Sequence, residues 1–391
     1  MKRRIFISTG EVSGDWHGSI LIQALQNSAR QRDLELEILA LGGDRMVAAG
    51  ATLLGNTVGI GSIGLVEALP YVLPTLLVQW RAKQQLKKFP PDLVILIDYV
   101  TPNIGMGYFT KRQLQVPVIY YIAPQEWVWS FNDKNTQAIA GFTDRILSIF
   151  PQEAKYYAEQ GAQVKWVGHP LVDLMDRVPD RATARQQLGI SSEDLVVVLL
   201  PASRSQELKY LLPVMLQTAK LIQAQLPQVK FWLPLSLEKY RPNVERLLSQ
   251  YGVKADVVSH PSQLVIRAAD LVLSKSGTVN LETALLNVPQ VVIYRVSTVT
   301  AWIARHLLHF YIPFMSPPNL VQMKAIVPEF LQEAASPESV SQACLELLLN
   351  ERSRQQMLYN YAEMRNCLGG NGAIERVATE ILDALPVNNL N

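Results

Sequence analysis

The sequence predicts an α/β protein of two doubly wound domains, each built on a parallel sheet with helices on its faces. Two observations predict this class. Short apolar or β-branched runs alternate with segments of helical periodicity along most of the chain, and such alternation is typical of a parallel sheet. The 391 residues also leave room for two domains. We expect the two domains to face each other across a cleft.

The first domain is predicted to span residues 1–172. It begins with a strand at 4–8, a helix at 16–27 and a strand at 36–41, because apolar residues recur there with the matching periods. A basic helix at 81–88 leads into the apolar strand 93–98. The remaining strands of this domain are predicted at 116–122, 145–149 and 164–167.

The second domain is predicted over residues 173–350, after a polar stretch with prolines at 170–181 that interrupts the pattern. An amphipathic helix is predicted at 211–225. The strands are predicted at 195–200, 230–234, 255–258, 271–274 and 291–294. Helices within 351–391 could pack on either domain, and we expect them to cross back to the first.

The composition excludes several classes of protein. Lys and Arg number 36 and Asp and Glu 34, so the net charge of +2 gives no excess for binding phosphate backbones, and we expect no nucleic-acid partner. The only cysteines, Cys344 and Cys367, lack metal-ligand spacing, which favours a reducing cytosol without a disulfide or zinc site. The apolar run at the start is too short for a secretory signal.

The longest apolar stretch, residues 59–80, approaches the length of a membrane span. It contains Glu67, Pro70 and Pro74, so a continuous transmembrane helix is not expected. The stretch ends in Trp80 and is followed by a series of basic residues, an arrangement typical of a surface that rests at lipid headgroups. The alternative is a core helix with a solvated basic end.

Two candidate sites follow strands of the first domain, where ligands bind in open α/β sheets. The stretch 9–15 (TGEVSGD) is a glycine-bearing turn that enters a helix and could admit a phosphate or a sugar. It has neither Walker nor dinucleotide spacing, and a plain turn with Ser13 or Asp15 as a helix cap is equally open. Asp98 ends an apolar strand and could accept a proton from a hydroxyl, or serve as a loop cap.

Two further candidate sites follow strands of the second domain. Arg204 lies at a predicted helix start, where a fixed cation and the helix dipole suit a diphosphate; a plain surface arginine is the alternative. The stretch 274–282 (SKSGTVNLE) again leads from a strand through glycine into a helix, with Glu282 placed to reach ribose hydroxyls. The two helix starts of the second domain suit the anionic group of a donor substrate. The carboxylate of the first domain suits the hydroxyl of an acceptor, so the two domains are expected to have different roles.

No metal site is predicted. His169, at a strand end near the domain boundary, could be a base, but we favour a packed structural role. No His, Asp or Cys motif with metal-ligand spacing is present, and arginine with helix dipoles can neutralise a diphosphate. We therefore expect catalysis without a metal or other cofactor.

The ordered motifs resemble one family along nearly the whole chain: lipid-A-disaccharide synthase, an inverting glycosyltransferase of the GT-B fold. GEVSGD at 10–15 is similar to the family's GE-A-SGD, GSIGLVE at 61–67 to its MG-x-x-E segment, and Ile97-Asp98 to its ID motif. The other matching segments are 123–129 (APQEWVW), 167–170 (VGHP), 200–204 (LPASR), 276–282 (SGTVNLE), 318–320 (PNL) and 327–329 (VPE).

The resemblance implies a hexosyltransferase of lipid A and lipopolysaccharide biosynthesis. Its donor would be UDP-2,3-diacylglucosamine and its acceptor 2,3-diacylglucosamine 1-phosphate, giving a β-1,6 disaccharide and UDP. Asp98 would be the base and Arg204 the essential cation at the diphosphate. The expected substrate-binding residues are Glu11, Ser13, Gly14, Asp15, Ser203, Ser276, Gly277, Thr278, Glu282 and Asn319. The acylated substrates imply a cytoplasmic protein, peripheral on the inner face of the membrane, and family members can form homodimers.

Three departures from the family pattern bear on this expectation. The family's IDAPDFN is IDYVTPN here, so Thr101 replaces a second carboxylate and Asp98 must act alone. Ala202 replaces a glycine before Ser203, and Gln125-Glu126 replace smaller residues. The alternatives are a UDP-N-acetylglucosamine 2-epimerase or another GT-B enzyme of a soluble UDP-sugar, or a non-catalytic sugar-nucleotide-binding membrane adaptor.

Overall fold

The computed structural model describes residues 2–10, 12–58, 65–129, 133–201, 205–235, 237–296 and 313–386. The chain divides into two compact units. The first unit comprises Met1–Pro170 and Leu368–Asn391, and the second comprises Leu171–Cys367. Each unit contains one parallel sheet with helices between its strands, so the predicted α/β class is confirmed.

The first unit's sheet has the strand order β3-β2-β1-β4-β5-β6-β7 over the described residues. Its strands are β1 (Lys2–Ser8), β2 (Glu35–Gly42), β3 (Thr52–Asn56), β4 (Leu93–Ile97), β5 (Val118–Tyr121), β6 (Arg145–Ser148) and β7 (Val164–Trp166). Its helices are α1 (Val12–Gln31), α2 (Asp44–Ala48), α3 (Leu65–Lys88), α4 (Val100–Phe109), α5 (Glu126–Trp129), α6 (Lys134–Phe142) and α7 (Pro151–Glu159). The order reverses direction between β1 and β4, which makes that gap the switch point of the sheet.

The core of the first unit follows from its apolar strands. All five residues of β4, Leu-Val-Ile-Leu-Ile, are buried, as expected of a central parallel strand that helices cover on both faces. Phe6, Val94 and Tyr120 belong to one buried cluster together with Leu86 of α3 and Met106 of α4. This packing holds the carboxyl ends of β1 and β4 in fixed positions.

The second unit's sheet has the strand order β10-β9-β8-β11-β12-β13 over the described residues. Its strands are β8 (Val196–Leu200), β9 (Lys230–Pro234), β10 (Ala255–Val258), β11 (Leu271–Lys275), β12 (Gln290–Tyr294) and β13 (Glu329–Leu331). Its helices are α8 (Pro170–Met175), α9 (Arg181–Gln187), α10 (Ser205–Gln225), α11 (Arg241–Tyr251), α12 (Ser262–Ala268), α13 (Val279–Leu285), α14 (Pro317–Gln322), α15 (Pro337–Leu349) and α16 (Glu351–Cys367). The switch point of this sheet lies between β8 and β11.

The terminal helices divide between the units. The last helix, α17 (Ala373–Asp383), packs against α1 of the first unit. Helix α16, which the sequence analysis placed in the terminal segment 351–391, lies in the second unit. It is held there by its buried face, where the Gln290 side chain donates to the Tyr361 hydroxyl over 3.2 Å.

Two edge strands, β3 and β13, were not predicted from the sequence. Among the described strands, each pairs with a single neighbour, and each has five residues or fewer. An edge strand buries less side-chain surface than a central one, so its sequence needs fewer apolar or β-branched residues. The periodicity therefore gave little signal at these positions.

Helix α3 continues through Pro70 and Pro74, so these prolines do not interrupt the helix. A proline removes one backbone hydrogen bond of the ladder, and the rest of this 24-residue helix is retained. Among the described residues, no helix is both long and apolar enough to cross a membrane.

Candidate active site

The loops at the switch point of the first unit carry Gly10 after β1 and Asp98 with Tyr99 after β4. The two loops are in direct contact, because a Cβ atom built on Gly10 would lie 2.3 Å from the Tyr99 ring. Only a residue without a side chain fits beneath that ring. Folding therefore brings the start of the glycine-bearing turn against the loop that carries the predicted base.

Asp98 has a fixed and unusual backbone conformation. Its φ is 45° and that of Tyr99 is 56°, both in the left-handed region that residues with side chains seldom adopt. The Asp98 N–H donates to the carbonyl of Ile122 over 3.0 Å, and Ile122 itself has a φ of 56°. Strained backbone of this kind clusters at functional sites, where surrounding contacts must hold it.

The Asp98 carbonyl accepts two hydrogen bonds from buried side chains. The Asn103 amide donates to it over 2.7 Å, and the Tyr120 hydroxyl donates over 2.7 Å. The Asp98 side chain is half-buried at the carboxyl end of β4. These bonds fix the backbone from which the Asp98 carboxylate projects.

Asn103, which the sequence analysis did not select, joins the two strands at the switch point. It is fully buried in α4, and its amide also donates to the carbonyls of Ser8 and Ile97 over 3.2 and 3.1 Å. Its carbonyl accepts a hydrogen bond from the Ser8 hydroxyl over 2.7 Å. The signal that could have found Asn103 is a polar residue one turn into the helix that follows Asp98.

The helix that follows β1 holds three predicted substrate-binding residues. Ser13 is half-buried, whereas Gly14 is buried so closely that a Cβ atom would lie 1.8 Å from the Thr9 hydroxyl oxygen. Asp15 is 4% exposed, and its carboxylate accepts from the backbone N–H groups of Gly43 and Met46 over 2.8 and 3.2 Å. Asp15 thus fixes the start of α2 and shapes the turn. Glu11 lies outside the described residues.

A buried carboxyl group, Glu153, lies at the start of α7. It accepts from the N–H groups of Ala123 and Ile149, each over 3.2 Å, and so joins the ends of β5 and β6. Burial is the main cause that raises the pKa of Glu153, to about 8, and the charge of Asp98 contributes in the same direction. The same two causes raise the pKa of the Tyr120 hydroxyl well above its ordinary value.

His169 is buried and packs against the Phe150 ring, with 5.1 Å between ring centroids. Burial, with a smaller contribution from His17, lowers the pKa of His169 to about 3. The ring is therefore neutral at physiological pH. These observations favour the packed role over that of a base.

In the second unit, the loop after β8 contains Ser203 and Arg204, which lie outside the described residues. The neighbouring loop after β11 contains Ser276, Gly277 and Thr278, all half-buried. The Ser276 hydroxyl donates to the Met315 carbonyl over 2.7 Å. Ser276, Gly277 and Thr278 follow β11 and so lie at the switch point of this sheet.

Asn280 organises the loop after β11 and was not selected from the sequence. It is fully buried, its side-chain oxygen accepts from the Gly277 N–H over 2.8 Å, and its amide donates to the Ser274 hydroxyl over 2.7 Å. The Gly277 N–H is therefore already committed within the loop. A phosphate at this loop would have to be bound by other groups.

Glu282 and Asn319, two predicted substrate-binding residues, have different kinds of hydrogen-bond partner. Glu282 is 7% exposed, and its carboxylate accepts from the Gln263 amide over 2.8 Å. Asn319 is fully buried; its oxygen accepts from the N–H groups of Ile326 and Val327, and its amide donates to the Glu329 carboxylate over 3.1 Å. Asn319 thus supports the neighbouring loop, and any effect on a ligand passes through that loop.

No three His, Cys, Asp or Glu side chains form a group suited to a metal ion within the part of the chain that the structure describes. Among the described residues, most of the predicted site residues fall into two polar sets, one near the switch point of each sheet. The first carries the Asp98 carboxylate, and the second carries the hydroxyls of Ser276 and Thr278 and the carboxylate of Glu282. Such sets suit proton transfer and the binding of an anionic, hydroxyl-rich ligand.

Solved structures of similar fold include a UDP-N-acetylglucosamine 2-epimerase and MurG. The UDP-N-acetylglucosamine 2-epimerase of Neisseria meningitidis, solved with UDP-N-acetylglucosamine, has a TM-score of 0.66 and 13% identity, covering 98% of this chain and all of that one. MurG of Acinetobacter baumannii has a TM-score of 0.57 and 15% identity, covering 98% and 100%. At this level of identity the likeness shows the fold alone, which is of the GT-B type.

Sequence comparisons give the family. The lipid-A-disaccharide synthase of Gloeothece citriformis is 52% identical over 381 residues, which cover 97% of this chain and 99% of that protein. The lipid-A-disaccharide synthase of Myxococcus xanthus is 35% identical over 384 residues, 98% of each chain. The family model for lipid-A-disaccharide synthetase matches residues 5–375. This chain therefore belongs to the lipid-A-disaccharide synthetase family.

Proposed function

We propose that this chain transfers 2,3-diacylglucosamine from its UDP carrier to the 6-hydroxyl of 2,3-diacylglucosamine 1-phosphate, giving a β-1,6 disaccharide and UDP. Its family makes it a hexosyltransferase that forms the lipid A disaccharide. The observation that carries the proposed mechanism is the carboxylate of Asp98, held at the switch point by three hydrogen bonds to its backbone. The fixed backbone favours a reactive geometry that needs little reorganisation.

Asp98 is proposed as the general base. It takes the proton of the acceptor's 6-hydroxyl while that oxygen attacks the anomeric carbon of the donor sugar. The bond between the anomeric carbon and the diphosphate oxygen breaks, and its electron pair leaves with UDP. Attack opposite the leaving group inverts the anomeric centre. Thr101 has no carboxylate, so Asp98 accepts the proton without help from that position.

Arg204 is proposed to stabilise the charge that develops on the departing diphosphate, with Ser203 beside it. Ser276, Gly277, Thr278 and Glu282 are proposed to form the nucleotide-sugar site, with Glu282 accepting from ribose hydroxyls. Support for Glu282 comes from its hydrogen bond with Gln263, which orients the carboxylate. Asn319 contributes by holding the loop that leads to Glu329.

The turn after β1 is proposed to bind the acceptor sugar. Glu11 and Ser13 would contact the substrate, whereas Gly14 and Asp15 would act by shaping the turn. The buried Asp15 carboxylate and the close contact of Gly14 with Thr9 support this division of roles. A substitution at Asp15 would therefore alter acceptor binding through the backbone.

The epimerase reading is not favoured. The Neisseria epimerase is 13% identical to this chain, whereas relatives that share the family reach 52% identity over nearly the full length. The alternative of a non-catalytic adaptor was based on the departures from the family's sequence pattern. Hydrogen bonds to the Asp98 backbone nonetheless hold the loop of the proposed base. Family membership places this chain among glycosyltransferases.

We also propose that the protein acts at the inner face of the cytoplasmic membrane as a peripheral protein. Helix α3 exposes an apolar stripe of Leu73, Leu76, Leu77 and Trp80, each between 56% and 72% exposed. Their spacing of three, four and seven residues places them on one helix face. An exposed apolar face ending in tryptophan suits the boundary of a bilayer, from which acylated substrates must be drawn.

The double variant Leu76→Ser/Leu77→Ser is expected to weaken binding to phospholipid vesicles by at least about tenfold, because it removes apolar surface worth about 1.5 kcal/mol or more per side chain. Vesicle cosedimentation measures this. The matched control is Leu237→Ser/Leu349→Ser, at two exposed leucines of the second unit. Equal affinities for the two double variants would contradict membrane contact by the stripe.

The reaction is tested by incubating the purified chain with both acylated substrates and following UDP and disaccharide together. Equimolar formation of the two products is expected. Addition of EDTA is expected to leave the rate within about twofold, because a base and an arginine can carry the chemistry without a metal ion. UDP release without disaccharide would contradict the proposed acceptor, and loss of the rate in EDTA would contradict metal independence.

A further inference from the structure

The first unit has a second concave site, separate from the switch point, between the end of α3 and the second half of α4 with the residues that follow it. The cavity has a volume of about 360 Å³ and is lined by Trp80, Lys83, Lys87, Tyr108, Phe109 and Arg112, together with small or amide residues. We call it the basic groove. Its lining residues that the structure describes include three cations and no carboxylate.

Aromatic rings hold the cations of the basic groove in place. The Lys83 and Lys87 ammonium groups lie 5.5 and 5.9 Å from the centre of the Phe109 ring. The Arg112 guanidinium lies 5.2 Å from the centre of the Tyr108 ring. Cation–π contacts of this kind reduce the freedom of long side chains, so the three charges are preorganised.

Lys83 is the most enclosed of the three cations. Its ammonium group donates one hydrogen bond to the Gly105 carbonyl over 3.0 Å, and an ammonium has three N–H donors. Burial lowers the pKa of Lys83 because it removes water from the charged form. An anion in the groove would replace that water and favour the charged form.

The groove adjoins the apolar stripe of α3. Trp80 is both the last residue of the stripe and part of the groove lining, and Lys87 follows it by two helical turns, about 10 Å along the axis. Tryptophan favours the boundary between hydrocarbon and headgroups. Cations next to such a boundary lie where lipid phosphates are found.

We propose that the basic groove binds the phosphate of an anionic membrane phospholipid. This inference rests on the proposed peripheral location of the protein at the membrane. The volume lies in the range of small-ligand pockets and suits a glycerophosphate headgroup. Two lysines supply point charges and Arg112 supplies a fork of N–H donors for phosphate oxygens. The acyl chains of the same lipid would extend from the groove along the stripe.

The test compares two double variants of the full chain that lose the same charge. Lys87→Gln/Arg112→Gln removes two cations of the groove. Arg30→Gln/Lys88→Gln removes two exposed cations of the same unit that do not line it, one of them on α3 itself. Cosedimentation is measured with vesicles of phosphatidylcholine alone and of phosphatidylcholine with phosphatidylglycerol.

The groove variant is expected to lose at least about tenfold in affinity for the phosphatidylglycerol vesicles, and the control less than about threefold. Equal losses in the two variants would mean diffuse attraction and would overturn the site. Inorganic phosphate is titrated in parallel. If phosphate binds at the groove but the groove variant keeps its affinity for vesicles, the proposal that the ligand is a phospholipid is overturned. Vesicle binding requires no turnover, so it measures lipid binding at the groove even if the chain does not catalyse the proposed reaction.

The apolar-stripe variant separates the two membrane proposals. If the stripe variant and the groove variant each weaken binding, both features contact the membrane. If the stripe variant binds like the native chain and the groove variant does not, the stripe proposal fails and the groove proposal stands. Neither outcome depends on transferase activity.

Discussion

Replacing Asp98 with Asn is expected to lower kcat by about 100-fold to 10,000-fold, the range that a positioned general base contributes. The amide cannot accept the proton of the 6-hydroxyl. Asn is the informative substitution because it tolerates a positive φ, here 45°, better than most residues. The three hydrogen bonds that hold Asp98 use its backbone atoms, so they remain in the variant.

Steady-state kcat and calorimetric UDP affinity together measure this effect. UDP binding is expected to stay within about threefold, because the nucleotide is proposed to bind the second unit. Asp33→Asn is the matched control, since Asp33 also has a positive φ, 53°, but precedes β2 at the opposite end of the sheet. Native kcat in Asp98→Asn would remove Asp98 from the role of base.

Replacing Arg204 with Gln is expected to lower kcat/KM by about 100-fold to 1,000-fold, as the loss of a group that stabilises developing charge commonly does. The departing diphosphate gains charge as the sugar is transferred. Gln cannot neutralise that charge. Arg204→Lys is expected to recover only part of the rate, because an ammonium lacks the two-pronged geometry of the guanidinium.

The control for Arg204 is Arg241→Gln in the same unit. Arg241 forms an ion pair with Glu238 at 2.8 Å on the surface, so its loss should leave kcat/KM within about twofold. Measurement at several donor concentrations separates kcat from KM. An Arg204→Gln variant that changes KM alone would contradict a role in the transition state and leave a role in ground-state binding.

The switch point could be predicted from the sequence because it depends on local patterns. Apolar runs end in Ser8 and Ile97, and parallel strands place their carboxyl ends on one edge. The position of Asp98 follows directly. The left-handed backbone of Asp98 and its hydrogen bond from Asn103 could not be predicted. Asn103 also bonds to Ser8, which lies 95 residues away in the sequence.

Polar residues in motifs cannot be sorted by sequence into those that bind ligands and those that satisfy the backbone. Asp15 and Asn319 were both selected as substrate-binding residues, yet their side chains hydrogen-bond to backbone N–H groups of this chain. Buried backbone donors need partners, and Asp and Asn are the residues that commonly provide them. Only the folded arrangement shows which donors lie within reach.

The unit on which each terminal helix packs also could not be predicted from the sequence. Helices α16 and α17 are both amphipathic in sequence, and a helix of either kind can pack on any apolar surface of matching shape. The buried Tyr361 of α16 meets Gln290 of β12, whereas Arg376 of α17 donates to the Val167 carbonyl. These partners are far apart in sequence, so periodicity alone could not assign each helix to its unit.

The most direct measurement is the structure of the product that the purified chain makes from UDP-2,3-diacylglucosamine and 2,3-diacylglucosamine 1-phosphate. Mass spectrometry with proton NMR identifies the linked carbon and the anomeric configuration. The proposed mechanism predicts one disaccharide, joined through the 6-hydroxyl with the β configuration, and one UDP for each disaccharide. An α linkage, a link through another hydroxyl, or an epimerised UDP-sugar in place of a disaccharide would contradict it.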